Sequence, residues 1–355
     1  MKKVAILTFH WATNHGAILQ SYASQKYLER KGFDVKIIDY YTKSEECNFK
    51  NFIRPTRPSN YKARAKRYAK EKNLKSFRKK HLKLTKRYFT NEQLIKDPPE
   101  ADFLICGSDQ IWNCYYILHG ENKVTPVYFL NFGNPGVKKL SLSASFGCEE
   151  YPQNIEIIAK PFLQQFDAIS VREASGKKII EKMGIKSPYL TADPSSLLSK
   201  EDYLELCKDV PEEKGKTSLC VLRGQPEKAK SIINSYVSLF DNDINDINSV
   251  SLEQWLSSIR DSKFVITNSF HCIMMCLKLH TPFVAIKEYG RMQGMNDRLF
   301  TLLDFFGLQD RISVDDSALV EKHFSSLPDI NWEEIDIKMD EYSQSLRNFL
   351  EEELN

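Results

Sequence analysis

Short apolar runs alternate with segments of helical periodicity along most of the chain, and this alternation limits the possible fold more than any other feature. Residues 4–9 and 35–40 are two such runs, and both suit strands that are buried on both faces. Residues 17–30 lie between them, show helical spacing and are followed by Gly32. A helix between two short apolar strands is typical of a parallel βαβ unit. We therefore expect an α/β protein with parallel sheets.

The same alternation continues beyond residue 100, and 355 residues are too many for one hydrophobic core. We predict two Rossmann-like domains, residues 1–195 with a basic helical insertion at 54–90 and residues 196–330, followed by an amphipathic helix at 331–355. Further strands are predicted at 103–106, 127–130, 140–143, 168–171, 189–190, 218–222, 264–267 and 282–286. Further helices are predicted at 155–166, 175–183, 227–240, 252–259, 273–279 and 332–354.

The cellular compartment is predicted from the amino terminus and the cysteines. Residues 1–7 resemble the start of a signal peptide, but Thr8 and His10 interrupt the apolar run too early. The eight cysteines are irregularly spaced and form no C-x-x-C pair, which argues against a zinc ribbon or a disulfide framework. We expect reduced thiols and a cytoplasmic location, and the alternative is peripheral association with the inner face of the membrane.

The charge of the chain is concentrated in one segment. Residues 54–87 contain fifteen Lys or Arg and one acid, Glu71, so this segment has a net charge of +14. The net charge of the whole chain is +3, so the rest of the chain has a net charge of −11. Residues 61–81 are predicted to be helical because they contain neither Gly nor Pro. The segment is interpreted as a solvated helical face or as a surface that docks to an anionic membrane, where lipid-linked glycans reside. Nucleic acid is not an expected partner, because no recognisable binding motif accompanies the charge.

Four polar segments follow predicted strands. They are T-F-H-W-A-T-N-H-G at 8–16, G-S-D-Q-I-W-N at 107–113, I-S-V-R-E at 169–173 and T-N-S-F-H at 267–271. In open α/β sheets, ligands bind beyond the carboxyl ends of the strands. These segments therefore predict a binding site in a cleft between the two domains.

Together these motifs resemble the polysaccharide pyruvyl transferase family. The resemblance begins with N-H-G-A-I-L-Q-S-Y-A at 14–23, continues through the later strand-end motifs in order, and includes A-D-P-S-S-L-L at 192–198 and R-L-F-T-L-L at 298–303. It implies a GT-B-like fold and transfer of a pyruvyl group from phosphoenolpyruvate to two hydroxyls of a glycan or lipid-linked oligosaccharide, with release of phosphate. It implies no cofactor beyond this donor substrate.

The donor is an anion, and the predicted donor-binding residues follow from that. Arginine binds carboxylate or phosphate through its planar fork, which favours Arg172, and histidine moves protons near neutral pH, which favours His271 at a helix amino terminus. Some family members have an arginine where this chain has Ser269, and glycine is frequent where it has Cys272, so another base would have to supply the charge. The predicted donor-binding residues are Arg172, Arg223, Asn268, Ser269 and His271, and Lys287 and Arg291 are further candidates.

Asp109 is predicted to act on a sugar hydroxyl as a catalytic base, and the alternative is a helix cap. The predicted acceptor-binding residues are His10, Asn14, Gly16, Trp112 and Asn113. Trp112 is more typical of a core residue than of one that stacks on a sugar, and Asn14 and Gly16 could serve a turn. Cys272, Cys276 and His280 share a helix face, but the apolar residues around them favour packing, and no metal is predicted.

Two other functions stay open at this point. One is a GT-B-type glycosyltransferase that uses a nucleotide sugar. The other is a non-catalytic protein that binds a membrane or polyanion through residues 54–87.

Overall fold

The computed structural model describes residues 1–41, 58–114, 118–119, 123–124, 126–185, 188–221, 225–240 and 243–355. The chain forms two compact units. The first unit comprises Met1–Leu197 and Ser343–Asn355, and the second comprises Leu198–Tyr342.

The first unit is built on a seven-stranded parallel sheet with the order β3-β2-β1-β4-β7-β8-β9. Its strands are β1 Lys3–Leu7, β2 Asp34–Tyr40, β3 Leu84–Tyr88, β4 Phe103–Gly107, β7 Lys138–Ala144, β8 Ala168–Val171 and β9 Tyr189–Leu190; Leu118–His119 (β5) and Lys123–Val124 (β6) form a separate antiparallel pair. Its helices are α1 His15–Arg30, α2 Pro58–His81, α3 Asn91–Lys96, α4 Gln153–Leu163 and α5 Ala174–Lys182.

The direction of chain progression across this sheet reverses at β1. The chain builds β2 and β3 on one side of β1 and then returns to add β4, β7, β8 and β9 on the other side. Residues 4–7 of β1 are buried, as an inner strand of a parallel sheet requires. The side chain of Asn14 caps α1 by accepting hydrogen bonds from the backbone amides of Gly16 and Ala17.

The basic segment is partly confirmed. Residues 58–81 form α2, close to the predicted helix, and residues 54–57 lie outside the described residues. The helical insertion predicted to reach residue 90 is wrong at its end, because residues 84–88 form the edge strand β3 instead. A strand rich in Lys and Arg suits a sheet edge, since charge discourages pairing with another chain.

The second unit contains a four-stranded parallel sheet with the order β11-β10-β12-β13. The strands are β10 Thr217–Cys220, β11 Ile244–Asp246, β12 Phe264–Thr267 and β13 Phe283–Ala285. The helices are α6 Lys200–Leu206, α7 Glu227–Val237, α8 Leu252–Asp261, α9 Phe270–Leu279, α10 Asp297–Phe306 and α11 Val320–Ser325. The last helix, α12 Trp332–Leu354, contributes residues to both units.

One predicted strand is wrong. Residues 127–130 were expected to be a strand, but Pro126–Phe129 form a single 3-10 turn whose Val127, Tyr128 and Phe129 are all buried. A short apolar run has no periodicity that separates a buried strand from a buried turn. Pro126 at the first helical position favours the turn.

Among the residues that the structure describes, no helix is both long enough and apolar enough to cross a bilayer.

Candidate functional site

A cavity of about 210 Å³ lies in the first unit at the carboxyl ends of the adjacent strands β1 and β4. This is the point at which the strand order reverses, where open α/β sheets leave a crevice for ligands. The cavity is lined by Phe9, Trp11, Ala12, Asn14, Ala17, Asp109 and Gln110. It brings Asn14 and Asp109 together, two residues that were predicted from separate motifs.

The aromatic wall of the cavity is formed by Phe9 and Trp11. Their ring centroids are 5.8 Å apart in an edge-to-face arrangement, and Trp11 Nε1 donates to the hydroxyl of Tyr128 at 3.4 Å. An indole held by its N–H and turned toward a polar cavity is suited to stack on the apolar face of a sugar. Sequence analysis missed Trp11, although it lies in the first strand-end segment.

Trp112, the tryptophan that was predicted to bind the acceptor, lies in the core. It is 0% exposed, its Nε1 donates to the Tyr128 carbonyl at 2.9 Å, and its ring packs against Phe129 and Phe146. Because protein covers the ring, Trp112 is better described as a core residue than as a residue that stacks on a sugar.

Asp109 stands at the end of β4 in the left-handed region of backbone space, with φ 65°. The Asp109 carbonyl accepts from the Ser145 amide at 2.9 Å, and its carboxylate accepts from the Gln110 amide at 2.9 Å. The next residues form turns rather than a helix up to Asn113, so Asp109 caps no helix there. Its carboxylate is partly exposed to the cavity, where it can accept a proton or a hydroxyl hydrogen bond.

A buried ionic cluster behind the cavity is centred on Arg172, which follows β8. The Arg172 Nη1 lies 2.6 Å from Asp193 Oδ2, and Nη2 lies 4.0 Å from Asp109 Oδ1. Asp193 also accepts hydrogen bonds from the hydroxyls of Ser108 at 3.2 Å and Ser195 at 2.6 Å. The motifs at 107–113, 169–173 and 192–198 therefore meet at the guanidinium of Arg172, although Ser108 and Asp193 are 85 residues apart in sequence.

The cluster is rich in negative charge. Burial alone would lower the pKa of Arg172, but the nearby carboxylates of Asp193, Asp109 and Glu173 outweigh burial and raise that pKa. Burial raises the pKa of Glu173, while Arg172 and the amides of Phe146 and Gly147 oppose the rise.

The predicted role of Arg172 in donor binding stays a prediction. Its side chain is 0% exposed and its fork is turned toward carboxylates of the protein itself. These contacts favour a positioning role, in which Arg172 fixes the loop that carries Asp109.

The other predicted acceptor residues are also engaged within the first unit. His10 is buried: its Nδ1 lies 3.2 Å from the Thr8 carbonyl and its Nε2 lies 3.2 Å from Asp39. Asp39 also accepts from Arg87 at 2.6 Å. Burial would raise the pKa of Asp39, but the hydrogen bonds from His10 and Arg87 lower it overall. His10 thus belongs to a hydrogen-bonded cluster with the buried Asp39 and the partly exposed Arg87.

Asn14, Gly16 and Asn113 have local structural roles. Asn14 caps α1 while it lines the cavity, and Gly16 lies in the first turn of that helix. Asn113 is buried and its Nδ2 donates to Gln110 Oε1 at 2.7 Å. Both amides approach Gly147 (φ 61°), where a Cβ would lie 2.5 Å from each of them. Only glycine at position 147 lets this amide pair pack against the next strand end.

In the second unit, the predicted donor residues lie between β12 and α9. Asn268 is fully buried, the Ser269 amide donates to Thr267 Oγ1 at 3.0 Å, and His271 occupies the first turn of α9. His271 is 5% exposed. Its imidazole therefore lies at a helix amino terminus, where backbone amides and the helix dipole favour an anion.

Glu288, which sequence analysis missed, joins this group at the end of β13. It is 3% exposed, and its Oε1 accepts from Asn268 Nδ2 at 2.8 Å and from Gln225 Nε2 at 3.5 Å. Burial raises the pKa of Glu288, and the Gln225 hydrogen bond and the charge of Arg298 only partly oppose this. The available sequence signal was an acidic residue shortly after the apolar run of a predicted strand, at K-E in residues 287–288.

The remaining candidate cations divide as follows. Arg223 and the side chain of Arg291 lie outside the described part of the chain. Lys287 Nζ lies 2.6 Å from Asp315. His280 ends α9 in the left-handed conformation. Its Nε2 lies 2.8 Å from Asp336 and its Nδ1 lies 3.1 Å from Lys200 Nζ, so both ring nitrogens are engaged in hydrogen bonds. In the described ranges, no group of three His, Cys, Asp or Glu side chains is placed to hold a metal ion.

Two parallel sheets with helical connections, and a polar cavity where the strand order reverses, define an α/β protein of Rossmann-like construction. Three solved structures are similar to this chain in fold. The UDP-GlcNAc 2-epimerase of Methanocaldococcus jannaschii in complex with UDP-GlcNAc and UDP is 12% identical, with a TM-score of 0.52 over 98% of this chain and 99% of that one. The Neisseria meningitidis UDP-GlcNAc 2-epimerase is 8% identical, with a TM-score of 0.52 over 99% of both chains. The S. aureus MnaA–UDP structure is 11% identical, with a TM-score of 0.53 over 99% and 95%. These similarities confirm the predicted GT-B-like fold class.

The sequence gives a finer assignment than the fold. The family model for polysaccharide pyruvyl transferase matches residues 14–288, and the chain belongs to this family. No curated protein matches the chain significantly. Family membership confirms the resemblance inferred from the strand-end motifs and makes the protein a transferase that acts on polysaccharide.

Proposed function

We propose that the protein transfers a pyruvyl group from phosphoenolpyruvate to two hydroxyls of one sugar in a polysaccharide or its lipid-linked precursor. The observation that carries the proposal is the cavity at β1 and β4, which combines aromatic rings, two side-chain amides and a carboxylate. That combination suits a sugar, because the rings cover its apolar face and the polar groups bind its hydroxyls.

In this proposal Asp109 is the catalytic base. It accepts the proton of the attacking hydroxyl, and the sugar oxygen bonds to C2 of the enolpyruvyl group. The Arg172 cluster and the left-handed backbone hold the carboxylate in the cavity, so little reorganisation is needed during the reaction.

His271 is the proposed acid that protonates the methylene carbon of the donor. The second sugar hydroxyl then bonds to C2 while the C2–O bond to phosphate breaks. Of the two hydroxyl protons lost by the sugar, one is balanced by the new methyl group and the other leaves with phosphate. Asn268 and Ser269 are the proposed donor contacts beside His271, and Glu288 fixes Asn268 through its hydrogen bond.

The test is release of inorganic phosphate from phosphoenolpyruvate in the presence of a bacterial surface glycan, with the methyl signal of the ketal followed by NMR. We expect Asp109→Asn and His271→Gln each to lower kcat by about 10²–10⁴-fold. Asp304→Asn on α10 and His323→Gln on α11 are the matched controls and should stay active, because neither residue belongs to the strand-end segments described above.

Two results would contradict the proposal. One is a wild-type protein that shows no binding of phosphoenolpyruvate in titration calorimetry and no phosphate release. The other is transfer of a sugar from a nucleotide donor to the same glycan, which would favour the glycosyltransferase alternative.

A further inference from the structure

Helix α2 carries a row of exposed cations for which the described part of the chain provides no carboxylate partner. Lys72, Lys75 and Lys79 follow the i, i+3, i+7 spacing of one helix face, and Lys80 lies beside them; all four are exposed. Within the described residues, none of these four forms an ion pair.

Four exposed lysines elsewhere in the chain are arranged differently. Lys177, Lys208, Lys214 and Lys230 each lie within 4 Å of a glutamate carboxylate. Like charges three and four residues apart destabilise a helix. Mutual repulsion within this row of lysines therefore opposes formation of α2, and an anionic partner would remove that repulsion.

The opposite face of α2 ties the helix to the first unit. Leu74 and Phe77 are buried, and Glu71 pairs with Arg78 inside the unit. Glu71 Oε2 also accepts from Thr13 Oγ1 at 2.9 Å. Thr13 lies between Ala12 and Asn14, which both line the cavity. The basic helix is thus fixed to the loop that forms the cavity wall.

We propose that the exposed face of α2 docks on an anionic lipid surface. An amphipathic helix with a basic polar face binds such surfaces by summed charge attraction. Tyr61 is 44% exposed and lies eleven residues before Lys72, which places it on the same helix face. An aromatic ring with a polar tip suits the headgroup region of a bilayer and favours lipid over nucleic acid as the partner.

Docking has a consequence for the acceptor that rests on the proposed function. Because α2 is joined to the cavity loop through Glu71 and Thr13, attachment to lipid would hold the cavity close to glycans that are carried on lipid. The inferred acceptor class is therefore the lipid-linked precursor rather than the free polysaccharide.

The test is co-sedimentation with phosphatidylcholine vesicles that contain or lack phosphatidylserine, at low and high salt. We expect the wild-type chain to bind the anionic vesicles at low salt and to be released by high salt. The variant K72Q/K75Q/K79Q/K80Q should partition at least about 100-fold less, given the attraction that each cation adds. The matched control K177Q/K208Q/K214Q/K230Q removes the same charge and should bind like wild type. Circular dichroism checks that both variants are folded.

Three outcomes would overturn docking to lipid: no binding of the wild type at low salt, equal loss in both variants, or displacement from vesicles by RNA at a lower concentration than by phosphatidylserine headgroups. Measurements of phosphate release distinguish a failure of the docking proposal from a failure of the proposed function. If both hold, the α2 variant releases phosphate normally with a water-soluble glycan and slowly with a vesicle-bound one. Phosphate release by neither wild type nor variant, with vesicle binding intact, would remove the transferase proposal alone.

Discussion

The guanidinium of Arg172 is surrounded by carboxylates of the protein itself. From its residue type alone, Arg172 was predicted to bind the anionic donor. In the structure its nearest anion is Asp193 of the same chain, at 2.6 Å. A second carboxylate, that of Asp109, lies 4.0 Å from Arg172 and lines the cavity that Arg172 does not line. At this scale, the chemistry of a residue is set by burial as much as by its type.

Replacing Arg172 should therefore destabilise the first unit. Arg172→Met leaves the fully buried Asp193 without its cation, and loss of one partner of a buried pair costs about 3–5 kcal/mol. Urea unfolding followed by fluorescence measures this cost, with Arg67→Met on the exposed face of α2 as the control. The double variant Arg172→Met/Asp193→Leu should lose less than Arg172→Met, since no unpaired charge remains. An Arg172→Met variant within about 1 kcal/mol of wild type would refute the structural role.

Strand ends are the elements that assemble both candidate sites. β12 and β13 are parallel neighbours, so the segments that follow them emerge at one edge and bring Asn268 and Glu288 into hydrogen-bond contact. Sequence patterns located these strands well: residues 168–171, 189–190 and 264–267 were predicted as strands with the observed bounds. The patterns failed at residues 84–88, because this edge strand is highly charged. They also failed at residues 127–130, because a buried turn has no periodicity that separates it from a buried strand.

The raised pKa of Glu288 predicts a pH dependence of stability. The ordinary pKa of this carboxyl is 4.5, and the folded value is higher because of burial. The folded state therefore binds the proton more tightly, so wild-type stability falls as pH rises from 4.5 through the folded pKa. Glu288→Gln keeps an acceptor for Asn268 and has no carboxyl to titrate.

The free energy of unfolding should thus drop with pH in wild type over that interval and stay flatter in Glu288→Gln. Urea titrations across the pH range measure the difference, and Glu227→Gln, with an exposed side chain, serves as the control. A constant difference between wild type and Glu288→Gln at every pH would contradict the assignment.

Over the whole molecule, the carboxyl-terminal helix serves two units. Residues of α12 up to Tyr342 belong to the second unit, and those from Ser343 belong to the first. In its last part Leu346, Phe349, Leu350 and Leu354 are buried, and Phe349 packs edge-on against Tyr189 of β9 at 5.1 Å. The chain end therefore completes the core of the unit with which the chain begins.

Phe349→Ala should destabilise the first unit by about 3–5 kcal/mol, because it removes a large side chain that is 1% exposed and leaves a cavity. Thermal unfolding followed by near-UV circular dichroism measures the loss. Ile337→Ala on the same helix is the control, since Ile337 is 62% exposed and should change stability little. Equal effects of the two substitutions would show that α12 is not anchored through Phe349.

The sequence by itself determined the α/β class, the parallel strands and the loops that carry the sites. These features depend on local periodicity and on the rule that parallel strands end at one edge, and both are visible along a single chain. Only the tertiary structure decided that Trp11 rather than Trp112 faces the cavity, that Arg172 binds Asp193, and that Glu288 reaches Asn268. Those choices depend on burial and on partners tens of residues away, which no local pattern encodes.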